Sequence, residues 1–176
     1  LFSLLLSLFI TKNLDKNFLI NTILITSAFY LFFITVRDFF LKKFKNIHQN
    51  ISHFGFSLLI LSILFNNIFS SEVITNLKVG ESYQSEKFLI TFTDLDQITK
   101  NNYTSFIGNF SIKDSNNTLD ILKPELRIYN QPNIITSEAD IKSSLLSDKF
   151  ITMNTVQNEE YFNVRYQVKP FMVWIW

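Results

Sequence analysis

Two uncharged stretches of 19 residues, Phe18 to Val36 (FLINTILITSAFYLFFITV) and Ile51 to Phe69 (ISHFGFSLLILSILFNNIF), constrain this chain more than any other feature. A helix of about 20 apolar residues is long enough to cross the hydrocarbon core of a bilayer. Only a helix satisfies its own backbone there. The alternative, a buried helix of a soluble protein, normally keeps one polar face, and neither stretch has one. Both are expected to be membrane-spanning helices. Leu1 to Thr11 (LFSLLLSLFIT) is apolar but too short to span. It has neither the basic start nor the small-residue cleavage site of a signal peptide, and it reads as the tail of a further helix. Phe171 to Trp176 (FMVWIW) reads as the head of another, with Trp174 and Trp176 as interfacial anchors.

The flanking loops differ in charge. Arg37 to Asn50 carries Arg37, Lys42, Lys43 and Lys45 against Asp38, whereas Lys12 to Asn17 carries Lys12 and Lys16 against Asp15. Short basic loops stay on the cytoplasmic side. This places Arg37–Asn50 inside a bacterial cell or in a mitochondrial matrix. The β-rich segment after Phe69 is then periplasmic, or faces the intermembrane space, and the end from Phe171 returns into the membrane from that side.

From residue 70 to 170 the apolar runs shorten and alternate with period two, as in half-buried strands. In YFNVRYQVK, Phe162, Val164, Tyr166 and Val168 share one face. Phe88, Ile90 and Phe92 form a similar face, as do Phe106, Phe110 and Ile112 with Gly108. Polar clusters (KVGES, DLDQITKNN, KDSNN, VQNEE) supply the turns. Thr136 to Leu146 (TSEADIKSSLL) has an N-cap in Thr136 or Ser137 and acids in its first turn, and a short helix is expected there. The expected fold is an integral membrane α-helical protein with two full spans, two truncated ones and a small antiparallel β-rich outer domain. Its segments are 1–69 (partial helix 1–11, spans 18–36 and 51–69), 70–170 and 171–176.

The absence of Cys removes disulfides, thiolate metal sites and thiol nucleophiles. A net charge of +1 gives no basic face for nucleic acid. There is no Gly-rich phosphate loop, paired apolar carboxylates or Ser-His-Asp set, so nothing favours a hydrolase or kinase. A transporter segment would want polar groups deep in the spans, yet Asn21, Asn66 and Asn67 lie near the span ends.

His53 is the candidate with chemistry, because an ionisable side chain within an apolar span is costly. Imidazole is a common axial ligand of haem iron, and Gly55 would let a second helix or a flat macrocycle approach the backbone. The structural alternative is a hydrogen bond to a neighbouring helix or reach to the interface, and the residues alone leave both open. His48 is expected to face water among the lysines. Glu125 and Arg127 share a strand face as an ion pair, a docking site or plain solvated surface, and Glu138 is a helix-start acid or a docking residue.

Several motifs, in order, resemble the C-terminal part of the CcmF family, haem lyase subunits of c-type cytochrome maturation. They are Ser52-His53-Phe54-Gly55-Phe56 (A-H-L-G-F in the family), Val79-Gly80-Glu81-Ser82, Asn102-Tyr103-Thr104 followed by Gly108-Asn109-Phe110, Leu122 to Tyr129 (L-x-P-E-x-R-x-Y), Thr136 to Ile141, and Val164-Arg165-Tyr166 through Lys169-Pro170-Phe171 to Trp174-Ile175-Trp176. The resemblance implies a part of an enzyme that attaches haem to apocytochrome c, with a haem chaperone, apocytochrome c and other maturation subunits as partners. It also implies a membrane haem b between two histidines, one of which His53 matches. The family's tryptophan-rich outer motif, its two outer histidines and the second membrane histidine are not among these 176 residues, so this piece is not expected to form thioether bonds alone. The rival expectation is a non-catalytic, membrane-anchored β-domain that docks partner subunits.

Overall fold

The computed structural model describes residues 1–12, 18–41, 47–114, 118–156 and 160–176, which fall into two compact units, Leu1–Phe69 with Pro170–Trp176, and Ser70–Lys169.

The first unit is helical. Helices α1 (Phe2–Thr11), α2 (Phe18–Phe40) and α3 (Ile47–Phe69) contain both long apolar stretches. α2 and α3 each extend four residues beyond the uncharged window, to Phe40 and back to Ile47. Charge ends an apolar run but does not end a helix: Arg37 pairs with Asp38 at 3.0 Å within α2. The two helices pack through Ile25, Ala28 and Phe29 against Leu61. Phe29 meets Phe65 with ring centroids 5.9 Å apart, and Phe32 meets Phe54 at 5.5 Å. α1 packs on α2 differently. Ser3, Ser7 and Thr11, spaced by four, are all buried. Ser7 is hydrogen-bonded to Thr26, and Thr11 to Thr22 at 2.9 Å. Small hydroxyl side chains allow close backbone approach and cross-helix hydrogen bonds where no water is available.

The segment after residue 170 is short. Phe171 turns with φ 57°, and Met172–Trp174 form one 3-10 turn. Asn66 of α3 donates its amide to the Pro170 carbonyl at 2.8 Å, and Phe65 packs on Phe171 at 5.5 Å. The lysines at 42, 43, 45 and 16 with Asp15, on which the orientation rests, lie outside the described residues, as do parts of the KDSNN and VQNEE turns.

The second unit is an antiparallel sandwich. Its strands are β1 (Ser71–Leu77), β2 (Ser82–Gln84), β3 (Phe88–Thr99), β4 (Tyr103–Asp114), β5 (Leu119–Leu122), β6 (Glu125–Tyr129), β7 (Ile135–Glu138), β8 (Asp140–Ser143), β9 (Ser147–Thr155) and β10 (Phe162–Pro170). One sheet has the order β1-β10-β9-β8. The other has β2-β3-β4-β6-β7, with β5 also on β4. The expected alternating faces of β3, β4 and β10 meet in one core, where Ile90, Phe92, Phe110, Ile151, Met153 and Val164 are fully buried. Phe92 and Phe110 sit opposite each other and stack at 4.3 Å, with Phe162 edge-on to Phe92 at 5.6 Å. At Gly108 a Cβ would lie 2.7 Å from the Phe110 ring and 2.9 Å from the Met153 sulfur, so the absent side chain is the space those two occupy.

The expected helix at Thr136–Leu146 is not formed. These residues lie in β7, β8 and the loop that follows. The cap and the early acids are local signals, and tertiary pairing overrides them. Ser137 donates to the Met153 carbonyl at 2.7 Å rather than capping a helix. The strand was hidden because β8 has no buried apolar face: Ile141 is exposed, and Lys142, exposed along its stem, reaches an acid on the opposite sheet. β5 is inverted, with Asp120 inside and Leu119 and Ile121 outside.

Asp120 is 7% exposed and takes hydrogen bonds from Lys142 and Lys149, each at 2.6 Å, tying β5 to β8 and β9. Burial pushes the Asp120 carboxyl up, but the two ammonium groups outweigh it and hold the group below its ordinary 3.8. A depressed carboxylate contributes stability above its unfolded pKa, which is lost as pH falls through the folded value. Asp120→Ala is expected to cost about 3 kcal/mol at neutral pH, the low end for a broken buried pair because Lys142 can turn to water. The loss shrinks as the pH drops below about 4. Urea denaturation of wild type and variant at both pH values measures it, and an equal difference at the two would contradict the ion-pair account.

Candidate functional site

His53 lies in the second turn of α3 on an exposed face, with its Nε2 3.3 Å from the side-chain amide nitrogen of Gln49, one turn earlier. That face flanks the stripe packed on α2. Phe56, three positions on, continues it and is apolar, and Ile60, seven positions on, borders it while packing on the core shared with α2. Gly55 does not belong to it. Two residues along an α-helix lie about 200° apart, so Gly55 opens a different side, where an added Cβ would meet nothing within 4 Å. His48 is in the first turn of α3, exposed as expected but helical rather than in the loop. It points about 140° away from His53, so the two do not form one site. Among the described residues no cluster of three or more His, Asp or Glu is disposed to hold a metal.

The donor chemistry at His53 fits a haem. A macrocycle supplies four of the iron's ligands itself and asks the protein only for axial groups. An accessible imidazole beside apolar Phe56 and Ile60 can supply one.

On the sandwich, Glu125, Arg127 and Glu138 come together. Glu125 and Glu138 are cross-strand neighbours on β6 and β7. Arg127 reaches Glu125 at 2.9 Å and Glu138 at 3.8 Å. Glu138 is thus a strand residue facing a cation and not a helix-start acid. Register adds residues that the sequence did not single out. Ser105 donates to Glu125 at 3.1 Å, and Tyr103, opposite Tyr129, carries Arg127 and Lys100 each 5.3 Å from its ring centre. Burial pushes the Glu125 carboxyl up, but Arg127 and Ser105 hold it below its usual range. The same contact, with Tyr129, raises Arg127 further. Arg127→Leu leaves two carboxylates directly opposed and is expected to destabilise the sandwich by about 1 kcal/mol. Adding Glu138→Gln should recover most of that loss in urea denaturation, and no recovery would mean that Arg127 acts through packing instead.

A second polar cluster, also unmarked by any motif, surrounds Asp120. The Tyr166 hydroxyl is buried beside it without a hydrogen-bond partner among the described residues, and burial, with Asp120 and Asp114, drives the phenol well above its ordinary range.

The architecture, an antiparallel sandwich inserted between apolar helical segments, defines a class. Within it, residues 68–170 match the family model described as the CcmF C-terminal beta-sandwich. The chain belongs to the CcmF family. It is 26% identical over 125 residues to the cytochrome c-type biogenesis protein CcmF of Escherichia coli, covering 71% of this chain and 19% of the relative. It is 29% identical over 99 residues to the cytochrome c-type biogenesis protein ccl1 of Rhodobacter capsulatus, covering 56% and 15%. The solved structure of a cytochrome c heme lyase CcmF superimposes with a TM-score of 0.67 at 18% identity, over 98% of this chain and 31% of that one, and shares its fold. The chain spans about a fifth of the length of the curated relatives it matches.

Proposed function

We propose that this chain is part of a haem lyase that attaches haem to apocytochrome c, in which His53 is one axial ligand of a membrane haem b. The family membership carries the first half of this reading. The observation that carries the second is the accessible imidazole on the unpacked side of an apolar helix. Bound between two imidazoles, haem b supplies one-electron redox chemistry. This chain's own residues hold one ring nitrogen toward that site, and Phe56 and Ile60 keep the surroundings apolar. Only 28% and 17% of the most apolar windows of α2 and α3 are buried within the chain, which supports lipid or further helices around them. In this reading α2 and α3 span a bacterial inner membrane, or a mitochondrial one, α1 and the 171–176 segment belong to further spans, and the sandwich is periplasmic. A haem chaperone, apocytochrome c and other maturation subunits are the partners. Haem content of the full-length His53→Ala variant is the direct test.

A second reading is favoured by the half-exposed Glu125–Arg127–Glu138 network beside Tyr103. Here the sandwich docks partner subunits without any haem dependence. Arg127→Glu would then abolish co-purification of those subunits and leave haem content unchanged. Unaltered co-purification would remove this face from consideration.

A further inference from the structure

The loop between β8 and β9, Ser144 to Leu146, ends in two leucines that are 72% and 67% exposed. Turns are ordinarily polar, and this one satisfies its own polar groups. The Ser144 N–H donates to the Ser147 carbonyl at 3.1 Å, the Ser144 hydroxyl to the same carbonyl at 2.6 Å, and the Ser147 N–H to the Ser144 hydroxyl at 3.1 Å. Such a tip can leave water without stranding those backbone donors and acceptors.

Its place within the sandwich follows from strand direction. β1 begins and β10 ends side by side, Ser71 opposite Val168. β9 and β10 are joined by a short hairpin that closes with the Val156 N–H on the Tyr161 carbonyl, so β9 starts where β10 finishes. β8 is antiparallel to β9, with Ser143 opposite Asp148. The leucine tip therefore projects from the end of the sheet at which the chain enters from α3 and leaves through Pro170. The β3–β4 turn, with Asn101 and Asn102, belongs to the opposite sheet and is wholly polar.

We infer that Leu145 and Leu146 insert into the interfacial layer of the bilayer. This rests on the spanning reading of α2 and α3: α3 ends at Phe69 and β1 begins at Ser71, so a single residue of chain separates that end of the sheet from a span. A protein partner fits less well. Two aliphatic side chains among serines offer neither the roughly 800 Å² per side of a stable interface nor an aromatic or arginine anchor. Partial insertion of a few apolar side chains is, by contrast, how surface-bound segments hold to membranes.

The 176 residues contain no Cys, so a single introduced cysteine reports one position. Leu145→Cys, Leu146→Cys, Asn101→Cys and Ile63→Cys are labelled one at a time with an environment-sensitive fluorophore. They are placed in the full-length protein, any cysteine elsewhere replaced by serine, in nanodiscs of phosphatidylcholine and phosphatidylglycerol. At 145 and 146 the expected result is quenching by doxyl-labelled lipid and loss of quenching by aqueous iodide, with the reverse at Asn101. Iodide quenching at 145 and 146 equal to that at Asn101 overturns the inference. Protection there from both quenchers also overturns it and points to a protein contact. Ile63, on the exposed side of α3, must be shielded from iodide by lipid or by a further helix; iodide quenching there equal to that at Asn101 means that the spanning reading itself fails.

Discussion

The full-length protein with His53→Ala is expected to lose its membrane haem b almost entirely, its content falling at least about tenfold, since even removal of a partner hydrogen-bonded to a metal ligand costs 10–100-fold in affinity. Pyridine haemochrome absorbance of the purified protein measures it. His53 is accessible, its Nε2 lies 3.3 Å from the Gln49 amide nitrogen, and its flank is apolar. Exogenous imidazole should restore part of the spectrum by occupying the vacated axial position. His48→Ala is the matched control: one turn away and on another side of α3, it should leave haem content untouched. A His53→Ala protein with wild-type haem content and spectrum would end the ligand proposal. It would leave family membership, which rests on the sandwich, intact.

Phe110→Ala is expected to cost the sandwich about 4 kcal/mol, within the 3–5 seen for buried phenylalanines. The Phe110 ring is fully buried, stacked on Phe92 at 4.3 Å, and occupies the volume left by Gly108. A domain of this size is stable by only about 5–15 kcal/mol, and each kcal/mol shifts Tm by about 4–8 °C, so the transition should drop by roughly 16–30 °C. Gly108 supplies an internal check. Gly108→Ala in the wild type drives a methyl against the Phe110 ring and should destabilise by about 1–3 kcal/mol. In the Phe110→Ala background only the contact with the Met153 side chain remains, so the same methyl should cost clearly less. The difference is a coupling energy of the kind shown by residues in contact. Additive effects of the two substitutions would mean that they do not share one space.

How much was legible beforehand can be argued residue by residue. Phe18–Val36 and Ile51–Phe69 were visible because composition alone marks a helix apolar on every side, and they do form helices. β3, β4 and β10 were visible because their inward positions are apolar. β5 and β8 were not, because β5 turns Asp120 inward and leaves Leu119 and Ile121 outside, and β8 buries no apolar face at all. Only the opposite sheet explains that inversion, and a single sequence holds no record of which strand lies across from which. The Glu125–Arg127 pair was readable from spacing along one strand, whereas Glu138, Ser105 and Tyr103 join it through register with two other strands.

The side-by-side start of β1 and finish of β10 bears on how such a protein can evolve. A module whose two ends leave at neighbouring points behaves as a plug-in: it can be exchanged, enlarged or shortened to a tight turn without prising apart the helices on either side, because the gap it bridges is narrow.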